Sequence, residues 1–175
     1  TKGEDLIFFL EDDLRFLHNP FLFNQMEDAV DRILDAKEEG EKVLIFGDRD
    51  VDGITSTTIL YEYLNSIGID VEYRVPMGDE SYGLTIEVID DFAKNYGTLI
   101  ITVDNGISNI NEIKYASELG IDIIVTDHHT PQEVLPEPAI IINPKTSDSG
   151  YPFAHISGCA VAFKLIQALR FSQTE

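Results

Sequence analysis

Five short runs decide what this chain can fold into: KVLIF (42–46), DVEYRV (70–75), TLIITV (98–103), IDIIVT (121–126) and AIIIN (139–143). They read as continuous apolar strands, not alternating ones, and segments of helical pattern separate them. A strand buried on one face alternates apolar and polar residues. A strand buried on both faces does not need to, and such strands belong to a parallel sheet covered by helices on each side. The expected class is therefore α/β: a doubly wound, mainly parallel five-stranded sheet with helices on both faces.

The helices carry their own punctuation. Asn24 with Glu27 three residues later has the form of a capping box, followed by an apolar stripe of Met26, Ala29, Val30, Ile33 and Leu34 and a stop at Gly40. Residues 53–67 read as a helix stopped by Gly68. Thr85 caps a helix running to Asn95, closed by Gly97; Asn109 with Glu112 opens another that ends at Gly120. A last helix over about 157–171 carries Val161, Leu165, Ile166 and Leu169. The expected organisation is one domain over 24–175, with the aromatic, Pro20-interrupted residues 1–23 as an N-terminal extension packed on it. Both ends read as cuts in a longer protein.

In open parallel sheets, ligands bind beyond the carboxyl ends of the strands. Asp48, Asp50 and Asp52 follow the first strand, Asp104 the third, Asp127, His128 and His129 the fourth, and Asn143 and Lys145 the fifth. Each alone has an ordinary reading. An Asp after a strand is a helix cap or turn former, Asp52 alone being a cap for the helix near Gly53, and two histidines make a polar loop. Gathered at three strand ends they are harder to explain that way, because crowded carboxylates repel and burial penalises their charge. Cations would offset that repulsion. Mixed carboxylate and imidazole donors suit manganese better than magnesium, which prefers oxygen alone, and six or more donors can hold two ions about 4 Å apart. Asp48 weighs less than its neighbours: the chain turns there, which leaves one of the three aspartates as a hydrogen-bond partner of a ligand. His18 reads as structural, His155 lies near the strand ends without an evident partner, and Cys159 reads as a small buried residue at a helix start. The acidic run DAKEEGE (35–41) reads as a solvated helix end.

Composition narrows the class further. Twelve basic against 32 acidic residues give a net charge of −20, so a basic nucleic-acid footprint is absent from this chain. No apolar run approaches the roughly 20 residues of a membrane span, and no signal-peptide pattern opens the chain. One cysteine rules out an internal disulfide framework and fits a reducing cytoplasm.

The motifs GDRDVDGITST (47–57), TVDNGIS (102–108), VTDHHTP (125–131), INPK (142–145) and YPFAHISGCAVAFKL (151–165), with the segment leading into the first of them, resemble the DHH phosphoesterase superfamily. The resemblance is closer still to RecJ-type exonucleases specific for single-stranded DNA. It implies a two-manganese centre, with magnesium as the substitute, that hydrolyses phosphodiesters in DNA repair and recombination, releasing mononucleotides in the 5′ to 3′ direction. By position, Asp50, Asp52, Asp104 and His128 match metal ligands, Asp104 being the carboxylate that bridges both ions. His129 matches a histidine that contacts the scissile phosphate, and Asp127 the residue that supports the histidine pair. Gly158 matches a point where backbone amides meet phosphate. Arg49 stands where the family has an aromatic residue, and is expected to point away from the ligands. The loop PMGDESYGL lacks the family's phosphate-holding arginine, although Tyr82 remains. RecJ enzymes also continue into a further aspartate ligand, a second domain and an OB-fold; without these the chain is expected to bind DNA weakly and to lack one ligand.

Other functions remain to be weighed. One is a DHH phosphoesterase acting on short oligonucleotides or cyclic dinucleotides. A non-catalytic scaffold would have little reason to retain Asp50, Asp52, Asp104 and His128 together. A phospho-acceptor receiver domain would use Asp104 and Lys145, but has no use for Asp127, His128 and His129.

Overall fold

The computed structural model describes residues 16–173, together with 7, 10 and 13. Most of the expected N-terminal extension up to residue 15 therefore lies outside the described residues. Five strands, β1 (Lys42–Phe46), β2 (Asp70–Arg74), β3 (Gly97–Val103), β4 (Asp122–Thr126) and β5 (Ile140–Ile142), form one sheet in the order β2-β1-β3-β4-β5, with every pairing parallel. Among the residues described from 16 onward, five α-helices cover it: α1 (Met26–Glu39), α2 (Val51–Ser66), α3 (Ile86–Lys94), α4 (Ile110–Glu118) and α5 (Gly158–Ser172).

Successive side chains of a strand point to opposite faces, and here both faces are dry. Val43 and Ile45 of β1 join Leu99, Ile101 and Val103 of β3 in a core with α1, α2 and α5, through residues such as Ile33, Leu60, Leu64 and Leu165. Leu44 and Phe46 join Ile100 and Val125 on the other face, against Val88, Ile89 and Phe92 of α3 and Ile113 of α4. This explains the unalternating runs of β1, β3 and β4, and the expected architecture is the one observed; β2 departs from the expected pattern, because DVEYR alternates polar and apolar residues and lies largely exposed at the sheet edge. Among the described residues no helix is long and apolar enough to cross a membrane.

Local signals hold where a single residue suffices. Thr85 caps α3 by accepting from the Val88 amide, and Gly40 ends α1 in the left-handed region at φ 67°. They fail where a polar side chain is used across the fold. The N-cap of α1 is Gln25, not Asn24; Asn24 donates instead to the Asp148 carbonyl. Asn109 sits at the start of α4, yet its side chain clamps the Leu84 backbone, accepting from its N–H at 3.3 Å and donating to its C=O at 3.0 Å. Gly97 opens β3 and does not close α3, whose C-cap is Asn95.

The strand order sets where a site can form. From β1 the chain moves outward to β2, then crosses back over β1 to β3 on its other side. The connections leaving β1 and β3 therefore diverge at their carboxyl ends and open a crevice, the place where this class of sheet holds ligands.

Candidate metal centre

Three loops and one helix end meet in that crevice. Asp48 is buried after β1 and accepts from the Arg49 amide at 2.7 Å. Asp50 caps α2, accepting from the Gly53 amide at 2.9 Å, and stays exposed. Asp52 lies two residues on, in the first turn of α2. Its two oxygens accept from the first amides of α5, Gly158 at 2.8 Å and Cys159 at 2.7 Å. A carboxylate on a helix N-terminus is favourable both as a cap and through the helix dipole, so Asp52 ties α2 to α5. The Gly158 amide, expected to meet phosphate, is thus committed to Asp52. Arg49 is exposed and its Nη1 donates to the Gly78 carbonyl, away from the acidic cluster.

Asp104 is the centre of the arrangement. It is 1% exposed, and its backbone is left-handed at φ 60°, which is uncommon for a residue other than glycine but accessible to Asp and Asn. Its Oδ1 is buried and accepts no hydrogen bond. Burial, and then the Asp52 and Asp50 charges, push its carboxyl up to about 7. A buried carboxylate without a hydrogen-bond donor is costly, and strain of this kind gathers at functional sites.

Asp127 organises the histidines. Buried at the end of β4, its Oδ1 accepts from the His128 amide at 2.7 Å and the His129 amide at 3.1 Å and faces His129 Nδ1 at 2.8 Å, while Oδ2 accepts from the Ile107 amide at 3.1 Å. His128 Nδ1 stands 3.1 Å from the Ile156 carbonyl oxygen. That oxygen can only accept, so in the neutral ring the proton sits on Nδ1 and Nε2 keeps its lone pair. Nε2 lies 3.2 Å from Asp104 Oδ1 and 3.8 Å from Asp52 Oδ2. Asn143 completes the support, donating from Nδ2 to the His129 carbonyl at 3.0 Å.

Two groups of ligating atoms, each within 4.8 Å, result: Asp104 with His128 and His129, and Asp48 with Asp50 and Asp104. Asp104 belongs to both. The donor set fits divalent cations on three counts. The orphaned Asp104 oxygen and the His128 lone pair face each other with nothing positive between them. Their separation is that of neighbouring ligands, about 3 Å when each is about 2.1 Å from one ion. Finally, the Ile156 carbonyl on His128 Nδ1 is the kind of outer bond by which a ligand histidine is oriented. Sequence reasoning ranked Asp52 above Asp48. The geometry draws Asp48 into a ligating group and gives both Asp52 oxygens to α5.

Tyr82 borders the crevice, 54% exposed. Its hydroxyl donates to the Asp104 carbonyl at 3.4 Å, and its ring stands edge-on to His129 at 6.4 Å. Burial and the surrounding aspartates push its phenol up, so it remains a donor. Beside it, Arg74 is paired with Glu80 at 3.0 Å. His155 is exposed and faces Phe153 edge-on rather than joining the ligating groups.

The model of the DHH family, N-terminal domain, matches residues 42–175. The single-stranded-DNA-specific exonuclease RecJ of Bacillus subtilis is 40% identical over 153 residues, covering 87% of this chain and 20% of that protein. RecJ of Escherichia coli is 42% identical over 147 residues, covering 83% and 26%. The crystal structure of an exonuclease RecJ bound to manganese superposes with a TM-score of 0.81 at 31% identity, over 90% of this chain and 40% of that one. The chain thus spans about a quarter of the length of these curated relatives. The family match takes in all the strands and every acidic and histidine residue of the crevice, and by that match the chain belongs to the DHH family.

Proposed function

We propose that this chain is the metal-binding part of a phosphodiesterase acting on single-stranded DNA, a 5′ to 3′ exonuclease of the RecJ kind using manganese. One observation carries the reading: the buried, unpartnered Asp104 oxygen shared by two ligating groups and facing the lone pair of His128 at 3.2 Å. The manganese-bound structural relative and the curated relatives support the choice of metal and substrate. A DNA-processing role also fits the cytoplasmic setting expected from a single cysteine.

Bound divalent cations would supply Lewis acidity: activation of a water near neutral pH, and neutralisation of charge on the phosphate and the leaving oxygen. The protein's part is to hold donors in place beforehand. Asp50, Asp104 and His128 present ligating atoms, with Asp48 beside them. Asp52 fixes the start of α5 over the site and is in reach of His128 Nε2. Asp127 holds His129 through Nδ1, which turns Nε2 outward to meet a phosphate oxygen, and Tyr82 flanks that position. With Arg74 and Arg49 engaged within the protein and a net charge of −20, this chain by itself is proposed to bind DNA weakly.

Anomalous diffraction from a manganese-soaked crystal tests the reading. One or two ions among Asp48, Asp50, Asp104 and His128 are expected; no ion there at millimolar manganese, in this chain and in a longer one, would refute it. The histidines should separate in solution. His128→Ala is expected to weaken manganese binding at least tenfold. His129→Ala should weaken it less than threefold while lowering the cleavage rate of a form that degrades DNA by about 100-fold, an ordinary loss for one transition-state contact. Calorimetric titration that found equal losses of affinity would contradict the division of roles.

A further inference from the structure

Asn105 is 1% exposed and lies under the crevice, and neither the metal ligands nor the histidine support account for it. Its Nδ2 donates to two backbone carbonyls, Val103 at 2.8 Å and Phe46 at 3.2 Å. These are the last residues of β3 and β1. The β1–β3 register ends at Phe46↔Thr102. Beyond it the strands turn to different neighbours: the Gly47 amide donates to Arg74 at the end of β2, and the Asp104 amide to Thr126 at the end of β4. The side-chain amide of Asn105 therefore brackets the two strands where the crevice opens. Thr102 Oγ1 holds the bracket from below by donating to the Asn105 carbonyl at 2.9 Å. Placing both N–H groups leaves Asn105 Oδ1 buried without a partner, an unfavourable arrangement that a residue serving only as a turn former has no reason to keep.

We propose that Asn105 is a positioning residue of the metal centre. By tying Phe46 to Val103 it sets the distance between the Asp48–Asp50 loop, two residues past β1, and Asp104, one residue past β3. The proposal rests on the metal-centre reading and adds to it a residue that touches no ion. Asp104 can serve both ligating groups only while those loops keep their separation.

The test is calorimetric titration of manganese into the wild type, Asn105→Leu and Thr102→Val, with melting temperatures measured in parallel. Leucine matches asparagine in shape and removes both donors; Thr102→Val removes only the lower bond and leaves the strand core intact. Well below each melting temperature, Asn105→Leu is expected to weaken manganese binding at least tenfold or to halve its stoichiometry, and Thr102→Val to weaken it about threefold. A merely structural residue would lower the melting temperature and leave the affinity of the folded protein unchanged; that result in both variants overturns the proposal. Should Asn105→Leu fail to fold, Thr102→Val decides alone: weakened binding supports the bracket and unchanged binding overturns it. Absence of binding by the wild type would instead refute the metal-centre reading on which the bracket depends.

Discussion

Asp104→Asn is expected to abolish manganese binding at this centre and to make the metal-free protein more stable at pH 8. Asparagine keeps the size of the side chain and accepts the left-handed backbone at φ 60°. It removes one charge from the point where two ligating groups meet. In a form of the protein that cleaves DNA, loss of a carboxylate shared by both groups should lower turnover by about 1,000-fold or more, roughly 4 kcal/mol of barrier. The stability effect has the opposite sign. Burial and the Asp52 and Asp50 charges raise the Asp104 carboxyl to about 7 in the folded state, against 3.8 unfolded. The native protein then holds that proton more tightly than the unfolded chain. The stabilisation is fully present below about pH 4 and is lost as pH rises through about 7. At pH 8 the metal-free wild type carries a penalty of at most about 4 kcal/mol that the asparagine variant does not. Urea melts in chelator at pH 8 and pH 5 should show the variant ahead at pH 8 and the gap narrowed at pH 5. A variant less stable than wild type at pH 8 would contradict this account of the site.

The second large effect concerns a residue that holds no ligand. Gly158 is the first residue of α5, and a Cβ there would lie 2.2 Å from Asp104 Oδ1 and 2.6 Å from its Cγ. The obstacle cannot swing aside, because Asp104 is short, buried and strained. Nor can α5 withdraw freely, because Asp52 grips its first two amides. Two opposing terms decide the outcome of Gly158→Ala. Alanine favours a helix by about 1 kcal/mol over glycine; forcing a methyl group into filled space costs about 1–3 kcal/mol. With contacts this short the second should win. Gly158→Ala is expected to lower the melting temperature and to weaken manganese binding at least tenfold, by displacing Asp104 or loosening Asp52. Cys159→Ala, one residue on, serves as the control and should do neither. A Gly158→Ala protein that melts higher and binds manganese normally would show that the approach is not tight in solution.

What could be read in advance was whatever a short stretch decides by itself. KVLIF announces a strand buried on both faces, and Thr85 caps the helix that follows it directly. The acidic and histidine residues at the strand ends were legible because a parallel sheet brings its carboxyl ends together whatever the loops do. The illegible part is long-range. Asp52 looks like a local helix residue, but its oxygens serve amides more than a hundred positions away. Asn109 looks like a cap and clamps a distant loop. Asn105, between an aspartate and a glycine, has the form of a turn residue, and its bond to Phe46 requires β1 and β3 already side by side. No local pattern shows that the start of α5 will claim both Asp52 oxygens, nor that Asp48 will lie within ligating reach of Asp50 and Asp104.

That span between Asp52 and α5 also bears on how the molecule comes together in time. Contacts between residues so far apart close long loops, and the chain must surrender that entropy before the contact returns anything. Strand pairs and the face packed by α3 and α4 can form earlier from nearer partners, whereas the face that includes α5 closes loops as long as this one. The metal centre, together with the seating of α5, is then expected among the last features to be completed on folding and among the first to open on unfolding. Interactions absent from the folding transition state act mainly on the unfolding rate. A cation held by these loops therefore does little to hasten folding; it prolongs the lifetime of the finished fold.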